Sequence, residues 1–163
     1  MRKSPALALL SMLLAAIAIA AVPVRSAVAA GPTSATGAGT LTVLGELRNF
    51  GFSAVAVHGT IQGQAQLDNR GQNLTDHLDI DCLKVVGNTA VISGVITKSN
   101  SGLEGDTGVF AVQDNGEGKN AAPDRLSLVF FFGPQYAGTL CTFFTFNDFP
   151  TSPIEGCNIQ VRP

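Results

Sequence analysis

Apolar and polar residues alternate along most of this chain, and the alternation predicts β-strands. From Thr40 onward no window repeats apolar residues at three-and-four spacing, whereas period-two alternation recurs throughout. In the run of residues 60–67, for example, Gln62, Gln64 and Gln66 alternate with apolar or small residues. Successive side chains of a strand point to opposite faces, so this pattern is typical of a sheet with one buried face and one wet face. The sequence therefore predicts an all-β fold.

A one-residue slip in the alternation predicts a β-bulge near Cys82. Leu78, Ile80 and Cys82 share one parity, but Leu83 and Val85 continue the apolar set on the other parity. A shift of one residue moves a side chain to the opposite face of a sheet, so we expect an extra residue between the two sets.

Clusters of Gly, Pro, Asn and Asp divide the chain into short strands. Gly87-Asn88 predicts a two-residue hairpin turn before a strand over residues 89–97, because glycine reaches positive φ freely. The later predicted strands cover residues 107–113, 125–132, 140–146 and 159–161. Eight or nine such strands predict an antiparallel β-sandwich or an up-and-down β-barrel. Periodicity is the same in both, and we prefer the sandwich.

The first thirty residues are typical of a secretory signal peptide. Arg2 and Lys3 precede an apolar run over residues 6–22, and small residues follow it. Cleavage is predicted after Ala29 or Ala30, so that residues 1–30 are removed. The predicted location of the remaining chain is extracellular.

Residues 31–39, with the sequence GPTSATGAG, are small and polar and show no periodicity. They are predicted to form a flexible lead-in, because such side chains bury little apolar surface. A single all-β domain is predicted over residues 40–163, a length that is sufficient for one hydrophobic core.

Removal of residues 1–30 leaves an acidic chain. Arg2, Lys3 and Arg25 are lost and no acidic residue is lost, so seven Lys and Arg remain against twelve Asp and Glu, a net charge of about −5. No basic stripe is present that would neutralise phosphates. The sequence therefore predicts a partner or ligand outside the cytoplasm, and neither nucleic acid nor, after cleavage, a membrane.

Seven of the ten phenylalanines lie close together in the sequence. They are Phe130, Phe131, Phe132, Phe143, Phe144, Phe146 and Phe149. Adjacent residues on a strand point to both faces, so we interpret these rings as core side chains of two neighbouring strands and a covering loop. The alternative is an apolar ligand pocket. The absence of Trp and the single Tyr136 argue against a sugar-binding platform.

Three cysteines in an exported chain predict one disulfide and one remaining thiol. In the chain-entropy model, pairing Cys82 with Cys141 stabilises by roughly 4 kcal/mol and pairing Cys141 with Cys157 by roughly 3 kcal/mol. This difference is too small to choose between them. A catalytic thiol is not predicted, because only His77 lies near a cysteine in the sequence.

Three separated motifs follow one another along the predicted domain. They are CLKVVGNTA at residues 82–90, DNGEG at residues 114–118 with Pro123-Asp124 beyond it, and NIQV at residues 158–161. Together they resemble a family of secreted bacterial β-domains that are sometimes found after a choice-of-anchor domain in larger surface proteins. The resemblance implies export and a β fold, and it supplies no activity, substrate or cofactor. The resemblance also implies the Cys82–Cys141 disulfide. This chain departs from the family pattern at Cys157, where the family pattern predicts glycine.

His77, Asp79 and Asp81 occupy alternate positions, with Asp76 beside them. On a regular strand these three side chains leave one face, where an imidazole and two carboxylates can hold a divalent cation or form an acid–base pair. We prefer to interpret them as the wet face of a half-buried strand. A metal site would need a further ligand, for which His58 is the only other imidazole.

Oxygen-bearing side chains also cluster around Gly116. Asp114, Asn115 and Glu117 flank this glycine, and Asp124 follows nearby. Their spacing does not fit the twelve-residue calcium loop, and a tight turn explains the residue types. We therefore expect calcium to change the melting temperature only modestly, with these four residues as the candidate ligands.

Signatures of common catalytic sites and phosphate loops are missing from the sequence. The sequence therefore predicts a non-catalytic binding or structural module of the cell exterior, without a cofactor. One alternative is a carrier of a small apolar ligand in a phenylalanine-lined barrel. The other is a small hydrolase or isomerase that uses His77 with Asp79 or Asp81.

Overall fold

Ten antiparallel strands, in a computed structural model that describes residues 31–163, form one sheet that is nearly closed and barrel-like. The strands are β1 (Thr33–Val43), β2 (Glu46–Val57), β3 (Thr60–Asn69), β4 (Leu74–Val86), β5 (Thr89–Ser99), β6 (Thr107–Gln113), β7 (Arg125–Ser127), β8 (Phe130–Phe132), β9 (Thr151–Pro153) and β10 (Glu155–Arg162). Their order in the sheet is β10-β1-β2-β3-β4-β5-β6-β7-β9, and β8 also pairs with β6. The all-β prediction is confirmed. One continuous sheet replaces the two sheets of a sandwich, so our preference between the two architectures was wrong.

The barrel nearly closes where its first and last strands in sheet order follow each other in the sequence. Only Ile154 separates β9 from β10, and its N–H donates to the Asp124 carbonyl at 2.9 Å. Because β9 pairs with β7 and β10 pairs with β1, this short connection brings the two ends of the sheet together. We call this junction the seam.

The interior of the barrel is filled by apolar side chains from the inward faces of the strands. Phe110, Ile92 and Leu78 are almost completely buried in it. The rings of Phe52 and Phe110 pack edge to face, with centroids 5.5 Å apart. The middle of the barrel is therefore a packed core.

A second apolar layer lies outside the barrel. Residues 133–150, which we call the cap segment, cover the outer face of β4, β5 and β6. Its buried residues Leu140, Cys141 and Phe149 pack with Val91 and Val109 of the sheet. A Cys82–Cys141 disulfide fixes the segment to β4, as the resemblance implies. Cys157 is left as an exposed free thiol.

The cap segment corrects one predicted strand. Residues 140–146 form no strand, and short 3-10 turns occupy Leu140–Phe143 and Phe146–Asp148. Because the segment crosses the face of a sheet instead of lying along its edge, its backbone bonds locally, for example from Thr142 N–H to the Thr139 carbonyl at 3.0 Å.

The phenylalanine-rich stretch packs mainly outside the barrel. Phe130 and Phe132 face the cap segment, where their rings contact Phe149 and Phe144. Phe131, between them on β8, instead lines a pocket at one end of the barrel. Adjacent rings therefore do point to both faces, but the faces are the cap layer and the barrel end.

The predicted flexible lead-in is wrong, because β1 begins at Thr33 and pairs with both β2 and β10. Small residues are needed there for close packing. A Cβ atom at Gly37 would lie 2.9 Å from side-chain atoms of Phe52 and Ile159. The missing side chains thus make room for large ones on the neighbouring strands.

Other local predictions concern turns and bulges. The register between β4 and β5 shifts between Ile80 and Cys82, which confirms the predicted bulge. Val86 pairs with Thr89 around Gly87-Asn88, which confirms the hairpin turn. The single strand predicted over residues 125–132 is divided into β7 and β8, both of which pair with β6.

Candidate functional site: a pocket at the barrel end

A pocket of about 140 Å³ lies at the end of the barrel that carries the β1–β2 and β3–β4 turns. We call it the mouth pocket. Its apolar lining includes Leu41, Phe50, Leu67, Leu74, Leu126 and Phe131. These side chains come from opposite walls of the barrel, from β1 to β4 on one side and from β7 and β8 on the other. The packed core forms the floor below them.

Two polar atoms in this lining are buried without a hydrogen-bond partner among the described residues. They are Oδ1 of Asp76 and Nε of Arg48. Asp76 is 8% exposed, so its carboxylate is nearly removed from water. Buried polar groups in proteins are normally hydrogen-bonded, and an unpaired one costs roughly 1–3 kcal/mol. An unpaired acceptor and an unpaired donor in one pocket therefore distinguish this end of the barrel as a candidate site.

The strand pattern explains why Asp76 lies inside. Leu78 and Ile80 face the interior, and Asp76 has the same parity two residues earlier on β4. It stands opposite Leu67 of β3, which also lines the pocket. On β2, Arg48 shares the inward parity of Phe50. In the sequence Asp76 stands out only as a neighbour of His77, although the alternation itself predicts its inward direction.

The rest of the polar rim is tied together by its own hydrogen bonds. Glu46 accepts from Arg48 Nη2 at 3.0 Å and from Asn69 Nδ2 at 2.8 Å. Gln72 also donates to Glu46, at 3.0 Å. The hydrogen bond from Gln72, followed by that from Asn69 and the charge of Arg48, lowers the pKa of Glu46. Arg48 is thereby paired with a carboxylate that holds it at the rim.

Other depressions lack this combination of features. A groove of about 400 Å³ runs beside Lys84, Val91 and Phe146 on the outer face. Its lining contains none of the buried, unpartnered polar atoms found in residues 31–163. The remaining such atoms belong to Asp81, Ser93 and Thr107, outside the mouth pocket as well.

The residues of the predicted His77, Asp79 and Asp81 cluster have separate surroundings. Asp79 is exposed, and Gln64 donates to it at 3.5 Å. Asp81 lies at the bulge and accepts from the Gly138 N–H at 2.7 Å, which ties the cap segment to β4. Burial raises the pKa of Asp81 in spite of this hydrogen bond. Over residues 31–163, no three or more His, Cys, Asp and Glu side chains are grouped so that they could hold a metal ion.

The candidate calcium ligands are engaged with the protein's own donors near the seam. Asp114 accepts from the N–H groups of Gly116 at 2.8 Å and Val161 at 3.0 Å. Asp124 accepts from those of Asn115 and Ile159, both at 2.7 Å. The other two candidates are likewise engaged, since the Asn115 side chain donates to the Pro123 carbonyl and Glu117 accepts from Asn158. The modest calcium effect expected from the sequence stays a prediction.

Comparisons with protein-family models, with curated proteins and with solved structures find no match to this chain. In the part of the chain that the structure describes, no helix is long and apolar enough to cross a membrane. The geometry of the mouth pocket is therefore the observation from which a function can be inferred.

Proposed function

We propose that this chain is an exported, non-catalytic binding module and that the mouth pocket is its ligand site. Export is supported by the signal-peptide pattern of residues 1–30 and by the Cys82–Cys141 disulfide, a type of bond typical of oxidising compartments. The acidic charge of the chain after residue 30 favours a ligand that is not a nucleic acid.

One observation carries the proposal: Asp76 Oδ1 and Arg48 Nε are both buried and unpartnered in the lining of one apolar pocket. Ligand sites are typically apolar clefts with a few polar groups that orient the ligand. No described residue pairs with either atom. A bound molecule that donates to the Asp76 carboxylate would supply the partner that this group lacks, whereas the Arg48 guanidinium already donates to Glu46 through Nη2. The buried carboxylate is thus explained as the recognition element of a binding site.

The same geometry places the pocket where a β-barrel commonly binds small molecules, at its mouth. The ligand is small, because Phe50, Phe52 and Phe110 fill the barrel below the pocket. The alternative of a carrier with a deep phenylalanine-lined cavity is therefore replaced by a shallower pocket at the barrel end. His77 and Asp79, the pair suggested for catalysis, line a separate surface depression, so we assign the pocket no catalytic step.

Nuclear magnetic resonance titration with benzyl alcohol tests the proposal. We expect saturable chemical-shift changes at the backbone amides of Leu67, Asp76 and Leu126 in the purified exported protein. Leu74→Trp, which places a large ring in the pocket, should abolish them. Val57→Trp, at the exposed opposite end of β2, is the matched control and should leave them unchanged.

A well-dispersed spectrum of each variant shows that it is folded before it is titrated. Absence of saturable changes in the wild type would overturn the proposal. Saturable changes confined to the exposed rings of the cap segment, such as Phe143, would also overturn it.

A further inference from the structure

The charges that face the mouth pocket are unequal, and this inequality indicates the class of ligand. Arg48 is the only cation in the lining, and its guanidinium forms an ion pair with Glu46 at 3.0 Å. This is the only Lys, Arg or His ion pair within residues 31–163. Asp76 therefore lies in the same pocket without an ion-pair partner of its own among these residues.

The second carboxylate of the lining points elsewhere. Asp68 borders the same pocket, but it has the outward parity of Gln66 and accepts from that side chain at 3.2 and 3.3 Å. The negative charge inside the pocket is therefore that of Asp76. An uncompensated buried carboxylate is costly, and a cation that donates hydrogen bonds to it removes most of that cost. The electrostatics of the pocket therefore favour a positively charged ligand over a neutral or negative one.

Aromatic rings in the lining suit the same class. Phe50 and Phe131 both line the pocket, Phe50 near its floor and Phe131 on the exposed β8 side. A cation near the face of such a ring gains about 0.5–2 kcal/mol. The apolar residues Leu41, Leu67 and Leu126 surround the remaining volume, so the cation must carry an apolar body.

The volume limits the size of that body. The pocket measures about 140 Å³, close to the roughly 150 Å³ of an engineered cavity that binds benzene. We infer that the mouth pocket takes a small organic ammonium compound whose apolar body is about the size of one benzene ring. This inference rests on the proposed function and names the ligand class of the same site.

Three probes of nearly equal shape test it: benzylamine, benzyl alcohol and benzoate. They differ chiefly in charge, so the dissociation constants from calorimetric titration at neutral pH isolate the electrostatic preference. We expect benzylamine to bind about tenfold or more tightly than benzyl alcohol, and benzoate to bind most weakly. Asp76→Asn should abolish the preference for benzylamine while leaving benzyl alcohol binding nearly unchanged.

Two further variants separate a specific effect from general attraction to an acidic protein. Asp79→Asn removes an exposed carboxylate outside the pocket and should leave the benzylamine affinity unchanged. Asp76→Leu provides a second substitution at the site and should also remove the preference. Equal binding of benzylamine and benzyl alcohol would overturn the ammonium inference while the proposed function stands. Binding of none of the three probes would overturn both.

Discussion

Among single residues, Cys157 is held in an unfavourable backbone conformation. Its φ is 62°, in the left-handed region, and it follows Gly156, which has a φ of 70°. The register between β1 and β10 shifts at this point, so the two residues form an irregularity at the start of β10. A residue with a Cβ atom pays roughly 1–2 kcal/mol in this region and glycine does not.

Replacing Cys157 with glycine should therefore stabilise the protein. We expect the free energy of unfolding to rise by about 0.5–1 kcal/mol, because relief of the left-handed strain exceeds the extra entropy of glycine in the unfolded chain. Equilibrium urea denaturation measures the change. Cys157→Ala is the control, since it removes the thiol but keeps the Cβ atom, and a gain no greater than that of the alanine variant would contradict this account.

The placement of Asp76 shows how much of the candidate site could be predicted from the sequence. Alternation through Leu78 and Ile80 predicts that the Asp76 side chain points inward. The alternation does not show which residues form the opposite wall of the pocket, because Leu126 and Phe131 belong to strands that lie far away in the sequence. The pocket itself could therefore not be predicted.

Among the elements, the seam is held by side chains, because within residues 31–163 the seam edge of β10 has no neighbouring strand to accept its N–H groups. Asp114 and Asp124 accept hydrogen bonds from the N–H groups of Val161 and Ile159 on β10. An edge strand with unpaired N–H groups invites pairing with other chains. These carboxylates satisfy that edge and connect it to the segment between β6 and β7.

Asp124→Ala tests this role of the seam. The substitution leaves the N–H groups of Asn115 and Ile159 without their acceptor in a site where Asp124 is 5% exposed. We expect a loss of about 2–4 kcal/mol in the free energy of unfolding, measured in urea. Asp79→Ala, at an exposed position, should change it by less than about 0.5 kcal/mol. A loss at Asp124 that does not exceed the loss at Asp79 would show that the seam does not need the carboxylate.

Strands that carry an unbroken alternation were predictable as elements, and the cap segment was not. The strand predicted over residues 107–113 is β6 with the same bounds. In residues 140–146, β-favouring aromatic residues indicated a strand, but the disulfide at Cys141 and the contact from Lys84 Nζ to the Phe144 carbonyl hold this segment across the sheet face. Such tertiary contacts override local propensity.

For the molecule as a whole, the barrel combines a solid middle with a pocket at one end. Two buried carboxylates, Asp124 and Asp76, occupy contrasting positions in this arrangement. Asp124 binds backbone N–H groups at the seam and supports the fold. Asp76 has an unpartnered oxygen in the mouth pocket, which costs stability. If the mouth pocket is the ligand site that we propose, function and stability oppose each other at Asp76.

The free energy of unfolding of Asp76→Leu, measured by urea denaturation without added ligand, tests this account most directly. If Asp76 is retained for a ligand, leucine should leave the stability unchanged or raise it by up to about 2 kcal/mol, because an apolar side chain replaces an uncompensated buried carboxylate. A loss of more than about 1 kcal/mol would mean that the fold itself requires Asp76, and it would contradict the assignment of the mouth pocket as a binding site.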